Sequence, residues 1–167
     1  MLRRSVQAAL AVSDKIVVTL GARIEILRQE IADFPVHIVE NEDWQTGMSG
    51  SLKVGLEKLI ETNKKLGGAL VMVCDQPLVD EVLLKKIIGQ FTKTGALIVA
   101  CQYQKTLGVP ALFHRELFPE MLALNSPKGA KHLIEKHRQQ TAVIAFPEGA
   151  IDVDTPKDYE NLMRNFT

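Results

Sequence analysis

Residues 69–74 read Ala-Leu-Val-Met-Val-Cys, six apolar side chains without a polar interruption, followed at once by Asp75-Gln76-Pro77. A strand with one face in water alternates in polarity, so an unbroken apolar run predicts a strand covered on both faces. Covering both faces takes a layer on each side, which means helices packed above and below a sheet. In open sheets of that kind ligands bind beyond the carboxyl ends of the strands, so Asp75 is predicted at the ligand edge.

The remaining chain repeats this alternation. Leu2, Val6, Ala9 and Leu10 share one helical face, and 15–20 is a near-continuous apolar run that predicts a strand. Gly21 turns the chain into a helix over 22–31, where Ile24, Leu27 and Ile31 recur at spacings of three and four. A short strand is predicted at 36–39, a polar loop at 41–50, and a helix from Ser51 carrying Leu52, Leu56, Leu59 and Ile60. After the 69–74 strand, Asp80 caps a helix with Leu83, Leu84, Ile87, Ile88 and Phe91 that ends at Gly95. Strands at 97–100, 109–113 and 141–146, a helix at 128–138 and a last helix at 156–166 with Pro156 in its first turn complete the pattern. With no linker, repeat or low-complexity tract, residues 1–167 read as one α/β domain. Its architecture is a Rossmann-like, doubly wound and mostly parallel sheet with right-handed crossovers.

Composition excludes several classes of function. Lys plus Arg equals Asp plus Glu at 20 each, so no global field gathers polyanions or anionic membranes. No basic, aromatic-interleaved stretch argues for nucleic acid, and no stretch reaches the roughly 20 apolar residues of a membrane span. Residues 1–12 read as a helix and not as a cleaved leader, and Cys74 and Cys101 lack CxxC spacing. A cytoplasmic protein with reduced thiols is therefore expected.

Three segments carry candidate chemistry. Asp75, on a rigid element, either holds magnesium, a hard cation that favours carboxylate and phosphate oxygens, or caps the following turn. Asp152-Val153-Asp154-Thr155-Pro156 alternates its carboxylates. Asp154 either shares a metal with Asp75, with Asp152 directed elsewhere or supporting it, or caps the last helix. Gly47, Met48, Ser49, Gly50 and Ser51 stand at a helix start, where free N–H groups and partial positive charge accept phosphate, or where they form an ordinary capped loop. An Asp-x-Asp-Thr run also occurs in haloacid-dehalogenase-type phosphatases, but there it sits on an early strand and here near the end. His37, His114, His132 and His137 show no ligand spacing and read as surface residues; Trp44 and Phe113 read as packing residues.

In order, these segments resemble the molybdenum cofactor cytidylyltransferase branch of the MobA-like NTP transferases. The resemblance rests on Val-Val-Thr-Leu-Gly ending at Gly21, Asn-x-x-Trp-x-x-Gly-Met-x-x-Ser-Leu over 41–52, Cys-Asp-Gln-Pro over 74–77, and Gly-x-Pro-x-Leu-Phe over 108–113. Lys-Gly-Ala over 128–130 and Asp-x-Asp-Thr-Pro-x-Asp-Tyr over 152–159 complete it. It covers nearly the whole chain and implies the nucleotide-diphospho-sugar transferase type of sheet. It implies transfer of CMP from CTP to molybdopterin with release of pyrophosphate. Asp75 and Asp154 would hold Mg2+, or Mn2+, on the triphosphate. Gly47, Met48, Ser49, Gly50, Ser51, Gln76 and Pro77 would contact the nucleotide, and Gly108 and Pro110 the acceptor side.

The chain also departs from that family, whose members open with a strand and a glycine-rich loop that wraps the triphosphate. Here residues 1–12 correspond to the helix after that loop. The expectation is an N-terminally truncated domain, weakly active alone, with the loop encoded upstream or supplied by a partner chain. The competing expectation is a non-catalytic or partner-dependent remnant acting as a binding module.

Overall fold

A computed structural model describes residues 1–151 and 153. The order of elements is α1 (Leu2–Leu10), β1 (Val17–Leu20), α2 (Ile24–Glu30), β2 (His37–Glu40), α3 (Met48–Thr62), β3 (Gly68–Val71), α4 (Glu81–Thr94), β4 (Ile98–Tyr103), β5 (Thr106–His114), α5 (Phe118–Leu122), α6 (Ala130–Lys136) and β6 (Thr141–Ala145). The helix predicted at 156–166 lies outside the described residues.

The fold is the expected α/β class, with two sheets. β1 and β2 pair in parallel, and the other four strands form one sheet in the order β3-β5-β4-β6. Its centre is β4: Ile98, Val99, Ala100 and Cys101 are fully buried, because β5 and β6 pair with it on either side and helices cover both faces. Ile98 and Ala100 face a layer holding Leu56, Leu117, Leu133 and Ile134. Val99 and Cys101 face Val79, Leu83, Leu84 and Ile87. The unbroken apolar runs thus reflect two-sided burial, as the polarity pattern predicts.

β5 departs from the parallel expectation, since it runs antiparallel to both β3 and β4. Tyr103 pairs with Thr106 across a two-residue turn in which Gln104 has φ +53°. Such turns usually advertise themselves through Asn or Gly, and Gln104-Lys105 carries neither. Farther along, Ala100 pairs with Ala111 but Cys101 pairs with Gly108, so Val109 and Pro110 are extra residues in the ladder. The amide of His114 faces β4, donating to Leu97 O, and by alternation so would that of Pro110, so its missing N–H falls at this register shift; the β3 ladder ends at the Val71–Ala111 pair. The predicted strand is shortened to Val71, and Asp75 stands in a bend beyond it.

α4 begins as expected, with the Asp80 carboxylate accepting the Leu83 N–H at 2.9 Å, and ends at Gly95 with φ +61°. α3 starts earlier than the apolar spacing indicates, so Met48, Ser49 and Gly50 form its first turn and not the end of a loop. His137 is not a free surface residue. Its Nε2 lies 2.8 Å from Glu120, which also binds Lys136 at 2.7 Å and so ties α5 to α6. Burial pushes the Glu120 carboxyl up, but the hydrogen bonds from Lys136 and His137 outweigh it and hold the group below the usual carboxylate range.

Packing of α3 on β1 turns on Gly55, where an added Cβ would lie 2.6 Å from Thr19 Oγ1. In an open helix Gly→Ala stabilises by roughly 0.5–1 kcal/mol. Gly55→Ala should instead destabilise the chain by about 1 kcal/mol or more in urea unfolding. In a Thr19→Ala background the same substitution should turn neutral or stabilising, because the clash is gone. Stabilisation by Gly55→Ala alone would contradict this packing.

Candidate active site

The first turn of α3 is left uncapped by side chains. Gly47 precedes it with φ +114° and ψ 178°, a backbone that favours glycine, and leaves no side chain over the helix start. No side chain caps the turn and no acidic residue stands in it, so its amides keep their donor capacity and partial positive charge.

The serines of that turn have structural partners. Ser51 Oγ accepts from the Asn41 side-chain amide at 3.0 Å, and the Asn41 backbone N–H donates to Leu20 O at 2.8 Å. Buried Asn41 thereby joins the end of β1 to the start of α3. Ser49 Oγ donates to Ser126 O and accepts from Ser126 N–H at 3.2 Å. This clasp draws the 126–129 segment onto α3. The fit is close enough that a Cβ on Gly129, itself at φ +53°, would lie 2.9 Å from Met48 Cβ. Met48 itself stays exposed, and Lys128 on the clasped segment is paired with Glu135 at 2.9 Å. Sequence reasoning placed Asn41 in the 41–52 motif without a role for its side chain and missed Ser126; both roles arise from contacts across the fold.

The second group gathers around Asp75. Its Oδ1 is shielded from solvent. Gln76 is buried, with Nε2 donating to Gly149 O at 3.0 Å, while its Oε1 has no partner among the described residues. Pro77 beside it is buried too. The Val153 N–H donates to Asp75 O at 2.9 Å, which anchors Val153, the middle residue of Asp-x-Asp, alongside Asp75. Asp152 and Asp154 lie outside the described residues. A hard divalent cation fits this setting: it takes one or two carboxylates and completes its shell with water and phosphate oxygens. Among the described residues no three His, Cys, Asp or Glu converge as a metal set.

Neither thiol offers a nucleophile. Burial, with the adjacent Asp75 charge, pushes the Cys74 thiol up, and burial pushes Cys101 up to about 12, so both are protonated at neutral pH. Gly108 and Pro110 are buried within β5, with Gly108 close beneath the Tyr103 ring. Two open concavities, one beside Arg4 and Asp80 and one beside Asn63 and Arg115, are lined by neither the α3 turn nor Asp75. Among the described residues no helix is long and apolar enough to cross a membrane.

Residues 1–141, which hold the α3 turn and Asp75, match the MobA-like NTP transferase domain. The chain belongs to that family. No curated protein matches it. Among solved structures, Rv0371c of Mycobacterium tuberculosis is similar at 28% identity with TM-score 0.77, covering 98% of this chain and 83% of that one. A manganese complex of Rv0371c gives 26% and 0.75 over 98% and 85%. A nucleotidyl transferase from Methanothermobacter, at 18% identity and TM-score 0.77 over 99% and 79%, shares the fold. This MobA-like chain is thus of nucleotidyltransferase type.

The clasp predicts a measurable role for Ser49. Ser49→Ala removes both hydrogen bonds to Ser126 and should cost about 1–2 kcal/mol in urea unfolding, with faster exchange of the Ser126 amide. Unchanged exchange there would show that Ser49 does not hold the segment.

Proposed function

We propose that this chain transfers CMP from CTP to the terminal phosphate of molybdopterin. A terminal phosphate oxygen attacks the α-phosphorus, the bond from that phosphorus to the bridging β-phosphate oxygen breaks, and pyrophosphate leaves. Asp75 and Asp154 hold Mg2+, with Mn2+ as a substitute. The metal neutralises triphosphate charge, the dominant need of such transfers. Gly47, Met48, Ser49, Gly50 and Ser51 present backbone amides to the nucleotide. Ser49 and Ser51 contribute through their main chain, because their hydroxyls are engaged. Gln76 and Pro77 shape the floor beside Asp75, and Gly108 and Pro110 lie toward the acceptor. Residues 1–167 act as one cytoplasmic domain, and a partner chain that supplies a phosphate-cradling loop would complete the site.

The observation that carries this reading is the Val153 N–H to Asp75 O bond, which supports a shared role for Asp75 and Asp154. The manganese complex of Rv0371c supports a divalent metal in the same way.

Pyrophosphate release from CTP, molybdopterin and Mg2+ should fall by about 10² or more in Asp75→Ala. The Val153 bond to Asp75 O uses the backbone and is kept in that variant. Undiminished turnover would overturn the metal assignment. Equal affinity for CTP and GTP in a titration with Mg2+ would overturn the cytidylyl assignment. Nucleotide binding without turnover, even with the loop supplied, would make the chain a binding module.

A further inference from the structure

After β6 the chain doubles back across the sheet. β6 and β3 stand at opposite ends of the order β3-β5-β4-β6, yet the Val153 N–H, soon after β6, reaches Asp75 O beyond the end of β3. Three strand spacings separate those ends, about 14 Å. The strap that makes the crossing, described for 146–151 and 153, is seated in steps. The Phe146 N–H donates to Gln102 O at 2.8 Å near the end of β4, and Pro147–Ala150 then forms a 3₁₀ turn against β4. At Gly149 an added Cβ would stand 2.6 Å from the Phe146 ring and 2.7 Å from the Tyr103 ring. A residue without a side chain lets the strap settle this close, and its carbonyl comes within reach of Gln76.

Gln76 meets the strap midway. It is 4% exposed, and its Nε2 donates to Gly149 O at 3.0 Å. A backbone carbonyl only accepts, so this contact fixes which end of the amide faces the strap. The other end, Oε1, is shielded from solvent and has no partner among the described residues. An apolar side chain of the same length would fill the place and strand no acceptor. What the amide adds is its bond to the strap. Together with the Val153 bond to Asp75 O, it attaches the strap at two points to consecutive residues of the bend.

We propose that Gln76 is a positioning residue for the metal site: by holding Gly149 it keeps the Val153 N–H on Asp75 O, and so keeps the Asp-x-Asp segment beside Asp75. It acts through the strap and needs no contact with the nucleotide. The proposal rests on the reading above of Asp75 as a metal holder. Groups that orient metal ligands in this way typically weaken metal binding by about 10–100-fold when lost.

The test uses the full chain with Gln76→Met, which keeps the side-chain volume, and Gln76→Asn, which keeps an amide but falls one methylene short of Gly149 O. Amide exchange by NMR reads the strap. Titration with Mn2+ in the presence of CTP, followed by electron paramagnetic resonance, reads the metal. In both variants the Val153 amide should exchange at least about tenfold faster while the amides of 98–101 are unchanged. Mn2+ should bind them about tenfold more weakly or worse, and Asp75→Ala should lose the ion in the same titration. Unchanged Val153 exchange in both variants would overturn the proposal. Faster exchange with Mn2+ affinity intact, while Asp75→Ala loses the ion, would make Gln76 merely structural, overturning the proposal and leaving the metal reading in place. Mn2+ affinity retained in Asp75→Ala would overturn the metal reading itself and this proposal with it.

Discussion

The β1–β2 pair and the four-stranded sheet share no ladder among the described residues, so helices α1 and α3 hold one to the other. Each helix is therefore amphipathic in a particular way, with part of its apolar face on one sheet and part on the other. The Asn41 bonds to Leu20 and Ser51 reinforce the same junction from the loop that enters α3. The start of α3 inherits its position from this bridging, and the candidate anion site inherits its orientation from the start of α3.

The two halves of the candidate site are supported differently. The α3 turn is fixed by side chains, through Asn41 and Ser51 on one side and the Ser49–Ser126 clasp on the other, which leaves its backbone donors as the groups offered to a ligand. The Asp75 bend is fixed mainly by backbone and amide contacts, from Val153 and from Gln76 to Gly149. Such a bend holds the backbone of Asp75 in place beyond the end of β3.

Much of this was legible in the residues because two-sided burial writes itself as unbroken apolar runs. Ile98 to Cys101 and Leu83 to Ile87 sit where their patterns place them. What escaped depends on partners far away in sequence. The reversal of β5 rests on a turn at Gln104 without a glycine signal, and β3 ends at the Val71–Ala111 pair, where β5 shifts register against β4. Met48 to Gly50 read as loop because Gly and Ser are weak helix formers, yet the clasp to Ser126 and the positive φ of Gly47 bring them into α3. Asp75 stands beyond the apolar strand as its place in the sequence predicts, and Asn41 opens the 41–52 motif, but neither the bond from Asn41 to Ser51 nor the role of Ser126 is marked by anything local.

The most direct test of the account is a crystal structure of the chain with CTP and Mn2+, read by anomalous scattering. The account predicts metal density on the Asp75 carboxylate and phosphate oxygens within hydrogen-bond distance of the amides of residues 48–51. Nucleotide bound elsewhere, with metal away from Asp75 and the α3 turn free of phosphate, would contradict it.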